Sequence, residues 1–322
     1  MTKKNISIDA STICQLRCPE CSTSKGLIKN GLIGSGFLSF QYFKHLIDNN
    51  PTIQEVELSN WGEIFLNPEI LKIIKYGYES KIKLTAGNGV NFVSVDNEVL
   101  EALVEYKFGY LNISIDGASQ ETYCQYRIGG DFNRVINNIT TVNSFKAKYK
   151  SEYPKLAWQF IIFGHNEHEI LLVKDLCKEF NMVFNPRLNH SNFSPTRNKA
   201  FVRKESGLNV ASRDEYKTMQ KKSYKRPCCQ LWYSPQINWD GKLLGCCVNK
   251  WISFGDVFKD GLDFCLESPL FQDTKLMLQG KIELNEMMPC YFCPTFQQIN
   301  EQPITEDELK VYCSFIHPAE SQ

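Results

Sequence analysis

The residues best suited to chemistry in this chain are cysteines, and they are clustered. Three fall within one short stretch, Cys14-Gln-Leu-Arg-Cys18-Pro-Glu-Cys21, with C-x3-C-x2-C spacing. Thiolates are soft ligands, suited to zinc, copper(I) or iron–sulfur iron. Structural zinc takes four ligands in a tetrahedron, and a lone triplet leaves one position open. A four-iron cluster held by three thiolates keeps one iron free to bind something else. A second set lies far downstream, at Cys228-Cys229, Cys246-Cys247 and Cys290-Tyr-Phe-Cys293. One cysteine from each adjacent pair gives a C-x17-C, gap of 43, C-x2-C pattern. Four such thiolates can hold zinc or an iron–sulfur cluster, and spacing alone favours zinc. Spacing does not say which member of each adjacent pair is the ligand.

Composition narrows the setting. The chain has 322 residues, 36 basic and 36 acidic, so its net charge is zero and it has no electrostatic footprint for nucleic acid. A local basic run, Lys217, Lys221, Lys222, Lys225 and Arg226, reads first as a solvated helix face or linker and second as a contact for an acidic partner. No apolar stretch is long enough for a membrane span, and Met1-Thr-Lys-Lys-Asn lacks a signal-peptide core. These features predict a cytoplasmic protein without a membrane partner. Thirteen cysteines in such a chain point to metal or redox chemistry rather than a disulfide framework.

The elements that must position these thiols follow a strand–helix rhythm. Strands are expected at 5–9, 53–59, 82–85, 110–115, 157–163 and 182–188, with helices at 40–49, 68–78, 95–104, 132–149 and 167–180. Repeated strand–helix units imply a parallel sheet covered by helices. Six units are too few for a closed eightfold barrel and enough for an open, partial (β/α)6 barrel spanning 1–190. The polar residues of interest fall at the C-terminal ends of these strands, where such folds bind ligands. Residues 191–226 read as a linker with one helix over 213–222. Residues 227–322 read as a small domain opened by an Asp240-Gly241 hairpin turn.

With the triplet directly after the first strand, the chain resembles the radical S-adenosylmethionine (SAM) enzymes. The resemblance implies that Cys14, Cys18 and Cys21 hold a 4Fe–4S cluster whose open iron binds SAM. It implies reductive cleavage of SAM to a 5′-deoxyadenosyl radical that abstracts a hydrogen atom. Asn60-Trp61-Gly62-Glu63 resembles the family's Gly-Gly-Glu motif, with Trp61 in place of its first glycine. Glu63 would meet the amino group of SAM, and Gly62 would allow close backbone approach. Gly87-Asn88-Gly89 resembles a Thr-Asn-Gly turn, and Ser114-Ile-Asp116-Gly117 a Ser-x-Asp-Gly strand end. Asn88, Ser114 and Asp116 would reach the ribose or methionine end. Arg127 would pair with the SAM carboxylate, and Asn166 would contact the adenosine. Read locally, Asn166 is instead a helix N-cap with Glu169 as its capping-box partner. Glu20 replaces an apolar residue near the adenine.

The quartet Cys228, Cys246, Cys290 and Cys293, with Gly241 ahead of Cys246, resembles the SPASM/twitch extension of the same enzymes. The core of a full SPASM set is incomplete here, which implies the shorter twitch form with one auxiliary 4Fe–4S cluster. Cys229 and Cys247 would then be spare thiols able to return a hydrogen atom. Cys313 is a further ligand or inert, and Cys124, Cys177 and Cys265 read as small buried hydrophobes. His165 and His168 flank Asn166, and His168 reads as a helix-start surface residue. Asn185, Arg187 and Asn189 close the sixth strand and are candidates for substrate contact.

Relatives of this type often modify ribosomally made precursor peptides by crosslinking, epimerisation or backbone excision. The splicease-like type is one of them. The chain begins at the barrel, so the expected peptide is presented by a separate small recognition protein. Flavodoxin or ferredoxin would supply electrons. One alternative is a radical SAM dehydrogenase or epimerase of a small molecule such as an aminocyclitol or sugar. The other is a non-enzymatic zinc protein.

Overall fold

The computed structural model describes residues 4–221, 223–224, 227–299 and 302–314. It contains eight strands: β1 (Lys4–Ile8), β2 (Ile53–Glu57), β3 (Lys83–Val90), β4 (Tyr110–Ser114), β5 (Lys155–Ile162), β6 (Val183–Leu188), β7 (Gln236–Ile237) and β8 (Leu243–Gly245). The chain packs as two compact units. One comprises Met1–Ile13, Gly26–Thr85 and Arg226–Gln322, the other Cys14–Lys25 and Ala86–Lys225. Strand β3 contributes its first residues to one unit and its last to the other.

In the first unit the order is β3–β2–β1–β7–β8. Strands β1, β2 and β3 are parallel, β7 joins β1 in parallel at Ser7↔Gln236 and Ile8↔Ile237, and β8 returns antiparallel. The Asp240-Gly241 turn therefore makes a hairpin, as its sequence implied. The helix Phe40–Asp48 covers this sheet because Phe43, Leu46 and Ile47 share one buried face. Ser39 caps it, its hydroxyl accepting from the Tyr42 backbone N–H at 3.2 Å.

The second unit has the order β6–β5–β4–β3, with parallel pairs β4–β5 and β5–β6. All five residues of β4 are buried, as expected of a parallel strand covered on both faces. The helix Phe132–Tyr149 starts at an Asp131 cap and ends where Lys150 turns left-handed at φ 51°. Together these elements form the expected partial α/β barrel type.

Two stretches differ from the sequence expectation. Gly87-Asn88-Gly89 is not a turn beyond β3 but part of it. Gly89 has φ +117°, and a Cβ there would lie 2.5 Å from Ser114 Oγ, so the strand continues only because this residue is glycine. The stretch expected as a linker with one helix carries two, Lys199–Glu205 and Arg213–Gln220. Val202, Val210 and Ala211 are buried there, which ties the segment down. The helix at Gln120–Tyr126, capped by Ser119, was not foreseen. No helix among the described residues is long and apolar enough to cross a membrane.

Candidate functional sites

The triplet lies in a loop of the second unit that is packed from several sides. Cys18, Leu16, Tyr126 and Phe163 form a buried cluster, against which Cys14, Cys21, Ile161 and Phe193 pack. The rings of Tyr126 and Phe163 are 4.6 Å apart, and Phe193 lies within 5.5 Å of both. The loop itself is tightened by a Cys21 N–H bond to Cys18 O at 3.2 Å, and tied down by Arg17 N–H to Ile128 O at 2.9 Å.

Polar groups reach the sulfurs. Arg127 Nη1 approaches Cys18 Sγ at 3.8 Å, while its Nε donates to Asp116 Oδ2 at 2.7 Å. Asp116 is fully buried, and its other oxygen accepts from Ile161 N–H at 2.7 Å. Burial pushes the Asp116 carboxyl up, and Arg127 and the Ile161 N–H oppose the rise. Burial likewise raises the Cys18 thiol, against which the Arg127 charge works. Arg127 thus favours the thiolate that iron requires.

Asn91 was not anticipated. Its Nδ2 donates to Cys14 Sγ at 3.5 Å and to Gln15 Oε1 at 3.1 Å, and Gln15 Nε2 donates back to Asn91 Oδ1 at 3.0 Å. The residue expected to act from this strand, Asn88, is exposed.

A polar row runs across the inner strands. Asn185 donates to Asn112 Oδ1 at 3.0 Å, Asn112 to Gln159 Oε1 at 2.9 Å, and Gln159 to Ser114 Oγ at 3.0 Å. Asn166 has no exposed surface. Its Oδ1 accepts from Phe163 N–H, and its Nδ2 donates to Asp116 O and Ile161 O. It makes no side-chain cap bond to the following turn. Glu169 is not a capping-box partner either: it accepts from Ala118 N–H at 3.0 Å and Thr122 Oγ1 at 2.9 Å. Asn166 and Glu169 therefore brace the Asp116-Gly117-Ala118 strand end. Asn189 organises its own loop through Phe193 O and Ser191. The buried Nε of Arg187 has no hydrogen-bond partner. Glu20 pairs with Lys25 at 2.7 Å. His165 stacks on Phe163 at 5.2 Å, and burial lowers its pKa; His168 is exposed.

Gly62 and Glu63 belong to the first unit. A Cβ on Gly62 would meet Ser11 O at 2.4 Å and Ile13 N at 2.7 Å, so only glycine fits there. The Glu63 N–H donates to Ile13 O at 2.9 Å, and its buried side chain accepts from Phe65 N–H at 3.3 Å. Trp61, which stands where the motif has its first glycine, packs on Ile28, Ile33 and Leu244.

The quartet lines a single pocket in the first unit. Cys228, Cys246, Cys290 and Cys293 are in its wall, together with Leu231, Leu244, Trp251, Phe254 and Phe296. Cys229 and Cys247 are not among the lining residues. This separates the members of each adjacent pair. Burial raises the thiols of Cys246 and Cys290 well above the ordinary range, and nearby thiols add to the rise. Among the described residues no three Cys, His, Asp or Glu side chains are gathered tightly enough to hold a single metal ion. Four thiolates on one zinc would stand about 3.8 Å apart, whereas those on separate irons of a cluster spread wider. The soft donor set and its apolar wall fit an iron–sulfur cluster. Cys229 is fully buried. Cys247 is half-buried, with its N–H on Gln230 Oε1 and its carbonyl accepting from Asn60. Cys177 and Cys265 are buried as expected, but Cys124 is partly exposed. The Cys313 side chain lies outside the described residues.

Residues 228–294 match the family described as SPASM, an iron–sulfur cluster-binding domain. The chain is similar to an AdoMet-dependent heme synthase of Methanosarcina barkeri, 26% identical over 175 residues, or 53% of this chain and 46% of the relative. It is also similar to an uncharacterized protein of Methanocaldococcus jannaschii, 25% identical over 207 residues, covering 63% and 62% of the two chains. The chain thus spans less than two thirds of either curated relative. Among solved structures it resembles Streptococcus suis SuiB bound to S-adenosylmethionine, with TM-score 0.62, 14% identity, and 92% and 72% of the two chains covered. SuiB bound to its precursor peptide SuiA gives TM-score 0.60 and 14% identity, covering 92% and 70%. The fold, the cysteine motif and the matched domain resemble those of radical SAM proteins with a SPASM iron–sulfur cluster-binding domain. The matched domain is an iron–sulfur cluster-binding one, and S-adenosylmethionine is bound in the SuiB structure that the chain resembles in fold.

Proposed function

We propose that this chain abstracts a hydrogen atom from a ribosomally made precursor peptide and so modifies it after translation. The observation that carries the radical chemistry is the triplet loop, with three thiols packed on one cluster and Arg127 and Asn91 directed at their sulfurs. Cys14, Cys18 and Cys21 would hold one 4Fe–4S cluster, and Cys228, Cys246, Cys290 and Cys293 the auxiliary one. Once bound, the first cluster and SAM supply a carbon-centred radical able to abstract hydrogen.

The chain's own residues do the positioning. Arg127, fixed by Asp116, offers its remaining N–H groups to the SAM carboxylate. Ser114 holds a hydroxyl toward the ligand face of β4. Asn166 acts through Asp116 and Ile161 rather than on the adenosine. Glu63 is assigned to the SAM amino group from its motif, and Asn88 remains assigned only by its motif. Full ligation by four thiolates leaves the auxiliary cluster as an electron relay. Cys247, the less buried of the spare thiols, suits hydrogen return better than Cys229.

Support for a peptide substrate is the likeness in fold to SuiB, which was solved with a precursor peptide. A second reading, a small-molecule substrate, is favoured by the sequence likeness to a heme synthase. Co-expression with a candidate precursor peptide separates them. Mass spectrometry should show a peptide mass change that requires Cys14, with a flavodoxin or ferredoxin as electron source and a separate recognition protein where one is needed. An unmodified peptide, alongside turnover of a small molecule, would favour the second reading.

A further inference from the structure

Two arginines of the second unit have no charge partner among the described residues. Arg187 is on β6, in register with Ile161 of β5, whose side chain packs against the triplet's cluster. It is two residues beyond Asn185, so it shares the face carrying the polar row of Asn112, Gln159 and Asn185. Arg213 opens the helix Arg213–Gln220, and its Nε donates to the carbonyl of Leu188, the neighbour of Arg187, at 3.3 Å. Its guanidinium lies 5.1 Å from the centre of the Tyr224 ring, and the Tyr224 hydroxyl accepts from Leu188 N–H at 3.4 Å. The Tyr224 ring is steadied edge-on by Tyr216 at 5.2 Å.

This holds Arg213 in one orientation while leaving its terminal nitrogens without a carboxylate. Among the described residues, neither arginine has an ion pair. Of the two acids in the first turn of the same helix, Asp214 and Glu215, the latter is engaged by Arg203 and by Ala211 N–H. Burial lowers the Arg213 pKa; the Tyr224 phenol opposes this and the Arg187 charge adds to it. Partly buried like charges near one strand end cost stability unless an anion joins them. A guanidinium fork matches the planar, two-oxygen geometry of a carboxylate.

We infer that Arg187 and Arg213 form a receptor for a carboxylate of the substrate, at the end of β6 and on the same face as the polar row. This rests on the proposed function for the identity of the ligand's owner, but not for the existence of the site. An acidic side chain or terminus of a peptide, or a small dicarboxylic molecule, would present the same group.

The test is binding to the anaerobically reconstituted holoprotein, by calorimetry and thermal melting, without SAM turnover. The probes are triglutamate, glutarate and inorganic phosphate, each against sodium chloride of matched ionic strength. Carboxylate binding is expected, with Arg187→Gln weakening it about tenfold or more. The same variant should melt no lower than wild type without ligand, because it relieves repulsion; an arginine of merely structural role would lower the melting point. Arg187→Lys keeps the charge but loses the fork, and should also bind more weakly. Preference for triglutamate assigns the site to a peptide acid, and equal binding of glutarate to a small dicarboxylate. Binding of phosphate alone, no response beyond sodium chloride, or unchanged affinity in both variants would overturn the inference. A protein that binds carboxylates but modifies no peptide would leave this site standing and remove the peptide reading.

Discussion

The two cysteine sites are made of the same atoms, both pack among apolar and aromatic side chains, and they differ in the polar side chains that reach their sulfurs. The triplet is reached by polar side chains, with an amide on Cys14 and a guanidinium beside Cys18. The quartet sits in a pocket walled by leucine, tryptophan and phenylalanine. Hydrogen bonds and nearby positive charge favour a more reduced cluster, and an apolar wall disfavours added charge. A three-thiol site with polar neighbours can admit a charged ligand. A four-thiol site has a protein ligand for every iron of a four-iron cluster. The contrast is what the proposed division of labour rests on: a reacting cluster at the triplet, and a relay or tuning cluster at the quartet.

Removing thiols should break the contrast most sharply. Cys14→Ala should abolish SAM cleavage, whereas Cys246→Ala should keep cleavage and lose substrate turnover. Iron analysis of reconstituted protein should fall from about eight irons per chain to about four in each variant. SAM cleavage that survives in Cys14→Ala would reverse the assignment. Next in size is Arg127→Ala, which leaves the fully buried Asp116 without its ion-pair partner. A loss of about 3–5 kcal/mol is expected in denaturant unfolding, because an uncompensated buried charge remains. A loss below 1 kcal/mol, on the order of an exposed pair, would mean that Asp116 is not anchored as described.

Asp9 offers a subtler test in the first unit. It is buried, accepts from Trp61 N–H at 3.1 Å and Gln236 Nε2 at 3.0 Å, and burial pushes its pKa up to about 7. The folded state therefore holds this proton above the pH at which the unfolded chain releases it. Its stabilising contribution is fully present below the unfolded value of 3.8 and is lost as pH rises through about 7. Melting temperature should fall between pH 5 and pH 8, and Asp9→Asn should flatten that slope; an unchanged slope would rule out Asp9 as its source. Asn91→Ala should be smallest, costing about 1 kcal/mol for the lost hydrogen bonds. It should also make the first cluster's reduction potential more negative and leave the auxiliary one alone, as measured by spectroscopically monitored redox titration. An unchanged potential would make Asn91 a loop brace only.

Much of this was legible in the sequence because chemistry and chain order coincide. Cys14, Cys18 and Cys21 follow the first strand, and Asp116 and Arg127 fall at a strand end and just after it. What local pattern did not reveal depends on contacts distant in sequence. Asn91 has no motif of its own and matters only because β3 runs on through Gly87-Asn88-Gly89. That continuation depends on Gly89, where an added Cβ would lie 2.5 Å from Ser114 Oγ. Asn166 read as a helix cap because capping residues and strand-end braces are the same residue types. Spacing could not distinguish Cys228 from Cys229, since adjacent residues differ only in which way they face the pocket. The proposed receptor of Arg187 and Arg213 joins a strand end to the start of a helix, both expected from the sequence, through contacts distant in sequence that local pattern does not show.

The central claim is that the triplet site alone admits SAM. Mössbauer spectroscopy of protein reconstituted with enriched iron, recorded with and without SAM, tests it directly. A distinct subset of iron sites should change on adding SAM to wild type and to Cys246→Ala, with no change in Cys14→Ala. A SAM response that persists in Cys14→Ala, or that disappears in Cys246→Ala with the triplet cluster intact, would contradict the account.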